Sequence, residues 1–144
     1  MATEKADFSR LTILLIDDNK FIRKLVGEIL SVFGVGKVVE AESADAAMMR
    51  MGEAQPDVIF CDWLMEGKDG LDVLRAVRGG RAPIDPKTPF IMLTGERRAD
   101  RVVTALAEGA DSYIAKPVSA TILMSHLVKL IHADHADKEV SFLD

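Results

Sequence analysis

Four short apolar runs each end in residues whose types fit one chemistry. Asp17 and Asp18 follow Leu11–Ile16, Asp62 follows Val58–Cys61, Thr94 follows Phe90–Leu93, and Lys116 follows Ser112–Ala115. Carboxylates brought together repel and raise one another's pKa. A hard divalent cation relieves that repulsion, and Mg2+ takes oxygen ligands while keeping several waters. The open side of such an ion also admits phosphate oxygens, to which Lys116 offers an ammonium and Thr94 a hydroxyl. The set points to phosphoryl transfer with a carboxylate as nucleophile.

Each residue also has an ordinary reading. An acid after a strand is often a helix N-cap, which would suit Asp17 or Asp18. Thr94 alone is a turn residue, and Lys116 before a proline is an exposed lysine. Asp62 is the least ordinary, because Trp63-Leu64-Met65 stays apolar beyond it. The information lies in the joint order of the residues.

The elements that must position them alternate. Leu11–Ile16 reads as a strand buried on both faces. From Asn19 onward Ile22, Leu25, Val26, Ile29, Leu30 and Phe33 recur at helical spacing, and Gly34 and Gly36 stop the helix. Val38–Ala41 is a strand, and Ser43 caps a helix through Ala54. Val58–Cys61 is the third strand. The turn-prone stretch Glu66–Gly70 leads into a helix carrying Leu71, Val73, Leu74 and Val77. The Pro- and Gly-rich stretch Gly79–Pro89 is the longest loop. Phe90–Leu93, a helix to Glu108, Ser112–Ala115 and a helix capped by Ser119 complete the series. Strands that read as apolar runs and alternate with helices predict an α/β fold: a doubly wound five-stranded parallel sheet with five helices. Ligands of such sheets bind at the C-terminal ends of the strands, where these polar residues fall.

The chain has 144 residues, 49% hydrophobic and 28% charged, which suits one globular domain. Residues 1–10 read as an N-terminal extension, 11–133 as the domain and 134–144 as a polar C-terminal tail that frays. With Met1 at the start and no residues left for a DNA-binding or enzymatic output domain, the chain reads as complete. The net charge of −5 disfavours a general nucleic-acid binder. No apolar run is long enough for a membrane span, and the acidic N-terminus is no secretory signal. The lone Cys61 excludes an internal disulfide and a Cys-based zinc site. The expected location is cytoplasmic.

From about Leu11 to Ile131 the sequence resembles the receiver domains of two-component response regulators, the chemotaxis-type single-domain ones included. The matching motifs are Leu15-Ile16-Asp17-Asp18-Asn19, Asp57–Trp63, Asp69-Gly70, Leu93-Thr94-Gly95 and Tyr113-Ile114-Ala115-Lys116-Pro117. The resemblance implies a flavodoxin-like receiver fold with Asp62 as phosphoacceptor. It implies a Mg2+ site made by Asp17, Asp18, Asp62 and the backbone carbonyl of Leu64. Thr94 would hydrogen-bond the phosphoryl group, Lys116 would pair with it, and Lys116-Pro117 would be cis. Thr94 and Tyr113 would form the switch. The donor would be a histidine kinase or a histidine phosphotransfer protein, and the output target an unidentified protein bound around Arg98, Arg101, Thr104, Tyr113 and Met124. The chain would catalyse only its own phosphorylation and dephosphorylation. Direct DNA or membrane binding is not expected.

The sequence departs from the family pattern in the loop Glu66-Gly67-Lys68, where Glu66 stands in place of a common proline. Leu64 and Glu96 occupy positions that tune phosphoryl lifetime in the family. Two other roles stay open, a phosphate sink and a relay intermediate. A Mg2+-dependent phosphohydrolase is a further alternative, opposed by Leu64 where a second acid is usual. A nucleotide-binding module lacks its glycines at Asp17–Lys20. Arg97, Arg98 and Arg101 form the one dense basic cluster, most simply a solvated helix face. Cys61 reads as a buried small hydrophobe, and Met48, Met49, Met51 and Met65 as packing. His126, His132 and His135 are poorly spaced as metal ligands.

Overall fold

A computed structural model describes residues 7–132 and 139–141. The strands are β1 (Thr12–Ile16), β2 (Lys37–Ala41), β3 (Val58–Cys61), β4 (Phe90–Thr94), β5 (Ser112–Ala115) and β6 (Glu139–Ser141). The helices are α1 (Lys20–Val32), α2 (Ala44–Ala54), α3 (Gly70–Arg78), α4 (Ala99–Ala107) and α5 (Ala120–His132). All strands pair in parallel, in the order β2-β1-β3-β4-β5-β6. The five expected strands and five helices are all present. The sixth strand corrects the reading of the tail, because Glu139–Ser141 pairs with β5 instead of fraying. Residues 1–6 of the stretch read as extension, Ala133 at the end of the domain, and residues 134–138 and 142–144 of the tail lie outside the described residues.

The continuous apolar runs follow from two cores. Leu14, Ile16, Ile59, Cys61, Phe90, Met92 and Tyr113 face one layer, with Ala47 and Met51 of α2, Leu74 and Val77 of α3, and Val102 and Ala105 of α4. Ile13, Leu15, Phe60, Ile91, Leu93 and Ile114 face the other layer, with Val26 and Leu30 of α1 and Leu123 and Leu127 of α5. Successive strand residues point to opposite faces, so both sets must be apolar. Phe8, placed by the sequence in the extension, is buried in the second core with its ring 6.5 Å from that of Phe33.

Local chemistry sets the helix ends. The Asn19 side chain accepts hydrogen bonds from the Phe21 and Ile22 amides at 2.9 and 3.2 Å and caps α1. Gly34, at φ 87°, takes the left-handed turn that ends it. Ser43 caps α2 through the Ala46 amide at 3.1 Å. Asp69 and Asp72 form a capping box at the start of α3.

At the sheet end remote from the polar residues, Arg78 fastens the long loop. Its guanidinium donates to the carbonyls of Pro86, Thr88 and Gly109 at 2.8, 2.7 and 2.9 Å and pairs with Asp111 at 3.0 Å.

Candidate functional site

The strand order reverses direction between β1 and β3, which opens a crevice at the C-terminal ends of these strands. Sheet hydrogen bonding runs one residue past β1, β3 and β5 and fixes the residues there, while Thr94 is the last residue of β4 itself. The Asp17 amide donates to Ala41 at 3.1 Å, that of Asp62 to Ile16 at 2.8 Å, and that of Lys116 to Thr94 at 2.8 Å.

The side chains then meet. Lys116 Nζ donates to Asp17 Oδ2 at 2.7 Å and to Asp62 Oδ2 at 3.1 Å, and all three residues are largely shielded from solvent. Asp18 is exposed beside them, and oxygens of Asp17, Asp18 and Asp62 lie within 4.8 Å of one another. Among the described residues this is the one cluster of His, Cys, Asp and Glu suited to a metal ion. Oxygen-only donors, open to water on the Asp18 side, fit Mg2+.

Burial raises the Asp17 pKa above its ordinary value, against the hydrogen bonds from Lys116 and the Asn19 amide that lower it. Burial pulls Lys116 down, but its two carboxylate partners outweigh this and hold it above its ordinary value. Lys116 is thus held charged by the two acids it bridges, while burial works against the charge of Asp17.

The first turn of the site has a second clamp. Arg23 donates to the Asp17 carbonyl at 2.6 Å and pairs with Glu40 at 3.0 Å. Neither Asp17 nor Asp18 caps α1; Asn19 does, and Asp17 Oδ1 instead accepts the Asn19 amide at 2.8 Å. Asp62 Oδ1 accepts the Leu64 amide at 3.3 Å, while the Leu64 side chain is exposed.

Gly70 sets the height of Asp62. A β-carbon there would lie 2.2 Å from the Asp62 carbonyl oxygen, and the Gly70 amide donates to the Trp63 carbonyl at 2.8 Å. The motif Asp69-Gly70 thus joins a helix cap to a backbone contact under Asp62.

Thr94 is fully buried and its hydroxyl accepts the Glu96 amide at 3.2 Å. The Tyr113 hydroxyl donates to the Glu96 carbonyl at 2.5 Å, and its ring is fully buried. Burial first, then the charges of Glu96 and Asp62, push the Tyr113 pKa up. The three residues form one chain, Thr94–Glu96–Tyr113, in which Glu96 is the shared joint. The sequence showed Glu96 only as a position two residues beyond Thr94.

The basic cluster is more than a solvated face. Arg101 lies over the Trp63 ring at 5.1 Å from its centroid, and Arg98 pairs with Asp100 at 2.9 Å. In the loop after Asp62, Glu66 is exposed, and Lys68 pairs with Asp45 of α2 at 3.3 Å. Cys61 is buried as expected, its thiol donating to the Asp62 carbonyl at 3.2 Å. His126 is buried in α5, whereas the His132 side chain and His135 lie outside the described residues. The Lys116-Pro117 bond is cis. Among the described residues, no helix is long and apolar enough to cross a membrane.

The fold and site together define a doubly wound α/β domain with an acidic, lysine-bridged pocket at its switch point. The chain belongs to the response regulator receiver domain family, whose sequence model matches residues 13–128. It is 34% identical over 116 residues to the phosphate regulon transcriptional regulatory protein PhoB of Pseudomonas aeruginosa, covering 81% of this chain and 49% of PhoB. It is 29% identical over 120 residues to the chemotaxis protein CheY of the same organism, covering 83% of this chain and 95% of CheY. The chain thus spans about half the length of PhoB and nearly all of CheY. Among solved structures, the receiver domain of Francisella response regulator 1452 superposes with a TM-score of 0.75 at 26% identity, covering 84% of this chain and 96% of that one. Vibrio cholerae chemotaxis protein CheY4 also gives 0.75, at 28% identity, covering 83% and 97%.

Proposed function

We propose that the chain takes a phosphoryl group on Asp62 from a phosphohistidine of a histidine kinase or histidine phosphotransfer protein. The observation that carries this reading is Lys116 Nζ held between Asp17 and Asp62, with Asp18 beside them. A carboxylate oxygen of Asp62 attacks phosphorus. The new O–P bond forms as the N–P bond breaks, and the imidazole nitrogen leaves with the electron pair and takes a proton.

Asp17, Asp18, Asp62 and the Leu64 carbonyl would hold Mg2+, which supplies positive charge to the phosphoryl oxygens when bound. Lys116 supplies a second positive charge and stays protonated in doing so. The chain acts on no other substrate in this reading. It works in the cytoplasm, where its donors present their phosphohistidine.

The switch follows from Glu96. The Thr94 hydroxyl turns from accepting the Glu96 amide to donating to a phosphoryl oxygen. The Glu96 backbone then moves, and with it the carbonyl that anchors Tyr113. Shifting a two-state equilibrium from 1:99 to 99:1 takes ~5.5 kcal/mol of differential binding. Hydrogen bonds to charged groups contribute ~1.5–3 kcal/mol each, so Thr94 and Lys116 together match that scale. The altered surface then binds a protein target.

Incubation with acetyl phosphate and Mg2+, read by intact mass, tests the acceptor. The wild type gains one phosphoryl group, and Asp62→Asn gains none. An equal gain in Asp62→Asn, or no gain from acetyl phosphate and from any phosphorylated kinase, overturns the reading.

A further inference from the structure

Asp17 and Asp18 share one peptide group, and a peptide group is rigid and planar. Whatever grips that plane fixes the two residues relative to each other. The sheet reaches only its near side, where the Asp17 amide donates to Ala41 at 3.1 Å. On its far side the Asn19 amide donates to Asp17 Oδ1 at 2.8 Å, and α1 begins. The plane itself is gripped through its carbonyl oxygen, by Arg23 Nη1 at 2.6 Å.

The Arg23 side chain is only 12% exposed, so it has given up most of its water and depends on its partners. One is the Asp17 carbonyl, and the other is Glu40, which accepts from Arg23 Nε at 3.0 Å. Glu40 precedes Ala41 in β2, and Arg50 of α2 donates to the Glu40 carbonyl at 3.2 Å. The same end of β2 therefore supports Asp17 twice, through the Ala41 carbonyl and through Glu40 and Arg23. Arg23 is also a cation near three acids, and alone it would repel a second cation. Glu40 cancels that charge without competing for the Asp17 carbonyl, because different nitrogens of Arg23 serve the two partners.

We propose that Arg23 is a positioning residue for the cation pocket: it fixes the peptide plane between Asp17 and Asp18, and Glu40 neutralises it so that its charge does not oppose the ion. In this role Arg23 touches neither the ion nor a phosphoryl group and acts only through the two acids. The inference rests on the reading of Asp17, Asp18 and Asp62 as a Mg2+ site.

Amide NMR of the isotope-labelled full-length chain gives two readouts, hydrogen exchange without metal and a titration with MgCl2 alone. The variants are Arg23→Met, which keeps an apolar stem and loses every donor, and Glu40→Gln, which keeps an acceptor and loses the charge. In Arg23→Met the Asn19 amide should exchange faster, while the Ile59 amide, bonded to Pro89 in the sheet, keeps its rate. The Mg2+ dissociation constant of Arg23→Met should rise about ten-fold or more, the usual cost of losing a group that orients a metal ligand. A role through charge alone has the opposite sign, because removing a cation tightens Mg2+ binding. Glu40→Gln should leave the Asn19 rate unchanged and weaken Mg2+ binding at low salt, by a factor that shrinks as salt is added. Unchanged or tighter Mg2+ binding in Arg23→Met overturns the proposal. So does an Asn19 amide that exchanges at the unstructured rate in the wild type, a measurement that needs no variant to fold. Failure of the wild type to bind Mg2+ near Asp62 overturns the metal-site reading itself. Mg2+ bound there, with an unchanged Asn19 rate in Arg23→Met, overturns this proposal alone.

Discussion

The guanidinium of Arg101 lies 5.1 Å from the ring centroid of Trp63, so the residue after Asp62 is roofed by the first turn of α4. Trp63 is the one tryptophan of the chain and is buried. Its emission therefore reports on the loop after Asp62 and on the position of α4. Mg2+ should change the fluorescence, and beryllofluoride should add a second step that Asp62→Asn lacks. Arg101→Ala should alter the starting spectrum and cost about 0.5–2 kcal/mol in urea denaturation. A spectrum unchanged by Arg101→Ala would show that the stacked pair does not persist in solution.

Lys116 offsets the charge of two buried acids, and its removal has a pH signature. Its pKa is raised on folding, so its ion pairs stabilise fully below the ordinary value of 10.5 and are lost as pH climbs through the folded value. Asp17 is also raised, so its preference for the protonated form favours folding below 3.8 and is lost as pH rises through its folded value. At neutral pH the ionised Asp17 is thus a liability that Lys116 covers. Lys116→Ala should lose about 1–3 kcal/mol at pH 7, and less as pH falls toward the carboxylate range. Urea titrations across pH measure this, and a loss independent of pH would contradict it.

Gly70→Ala should lower stability by about 1–3 kcal/mol, because the new methyl meets the Asp62 backbone and not a movable side chain. Asp62 must shift to make room. The rate of phosphorylation by acetyl phosphate should fall with it, while the far-UV circular dichroism stays native. Unchanged stability and rate together would mean that the α3 start is freer to move than its contacts indicate.

Cys61 should resist alkylation in the folded chain. Burial, then the charge of Asp62, holds its thiol well above the usual range, so it stays protonated at neutral pH. Iodoacetamide labelling followed by mass should be slow in buffer and fast in denaturant. Rapid labelling without denaturant would show that the third strand opens locally.

Much of the site was legible because chemistry and periodicity coincide at strand ends. An apolar run that stops at Asp17, Asp62, Thr94 or Lys116 announces both the strand and the edge it delivers to. Ser43 and Ser119 were legible as caps for the same local reason, and the hydroxyl oxygen of each accepts an amide from the first turn of its helix. What was not legible depends on distant partners. Nothing local to Arg23 shows that it will hold the Asp17 carbonyl, and nothing near Gly70 shows that Asp62 will lie against it. β6 escaped notice because three residues in a polar tail carry no period, and only the open edge of β5 gives them a role. Nothing local to Tyr113 shows that its hydroxyl will donate to the Glu96 carbonyl.

The Arg78 clasp has a practical consequence. It ties the Gly79–Pro89 loop to the end of the sheet opposite Asp62, with one side chain holding carbonyls from both the loop and Gly109. The exposed part of that loop, around Gly79–Arg81, is therefore a place to graft a dye or an affinity tag. Such a handle would ride on the scaffold at the end of the sheet opposite the pocket, so an immobilised or labelled chain could be assayed for chemistry at Asp62.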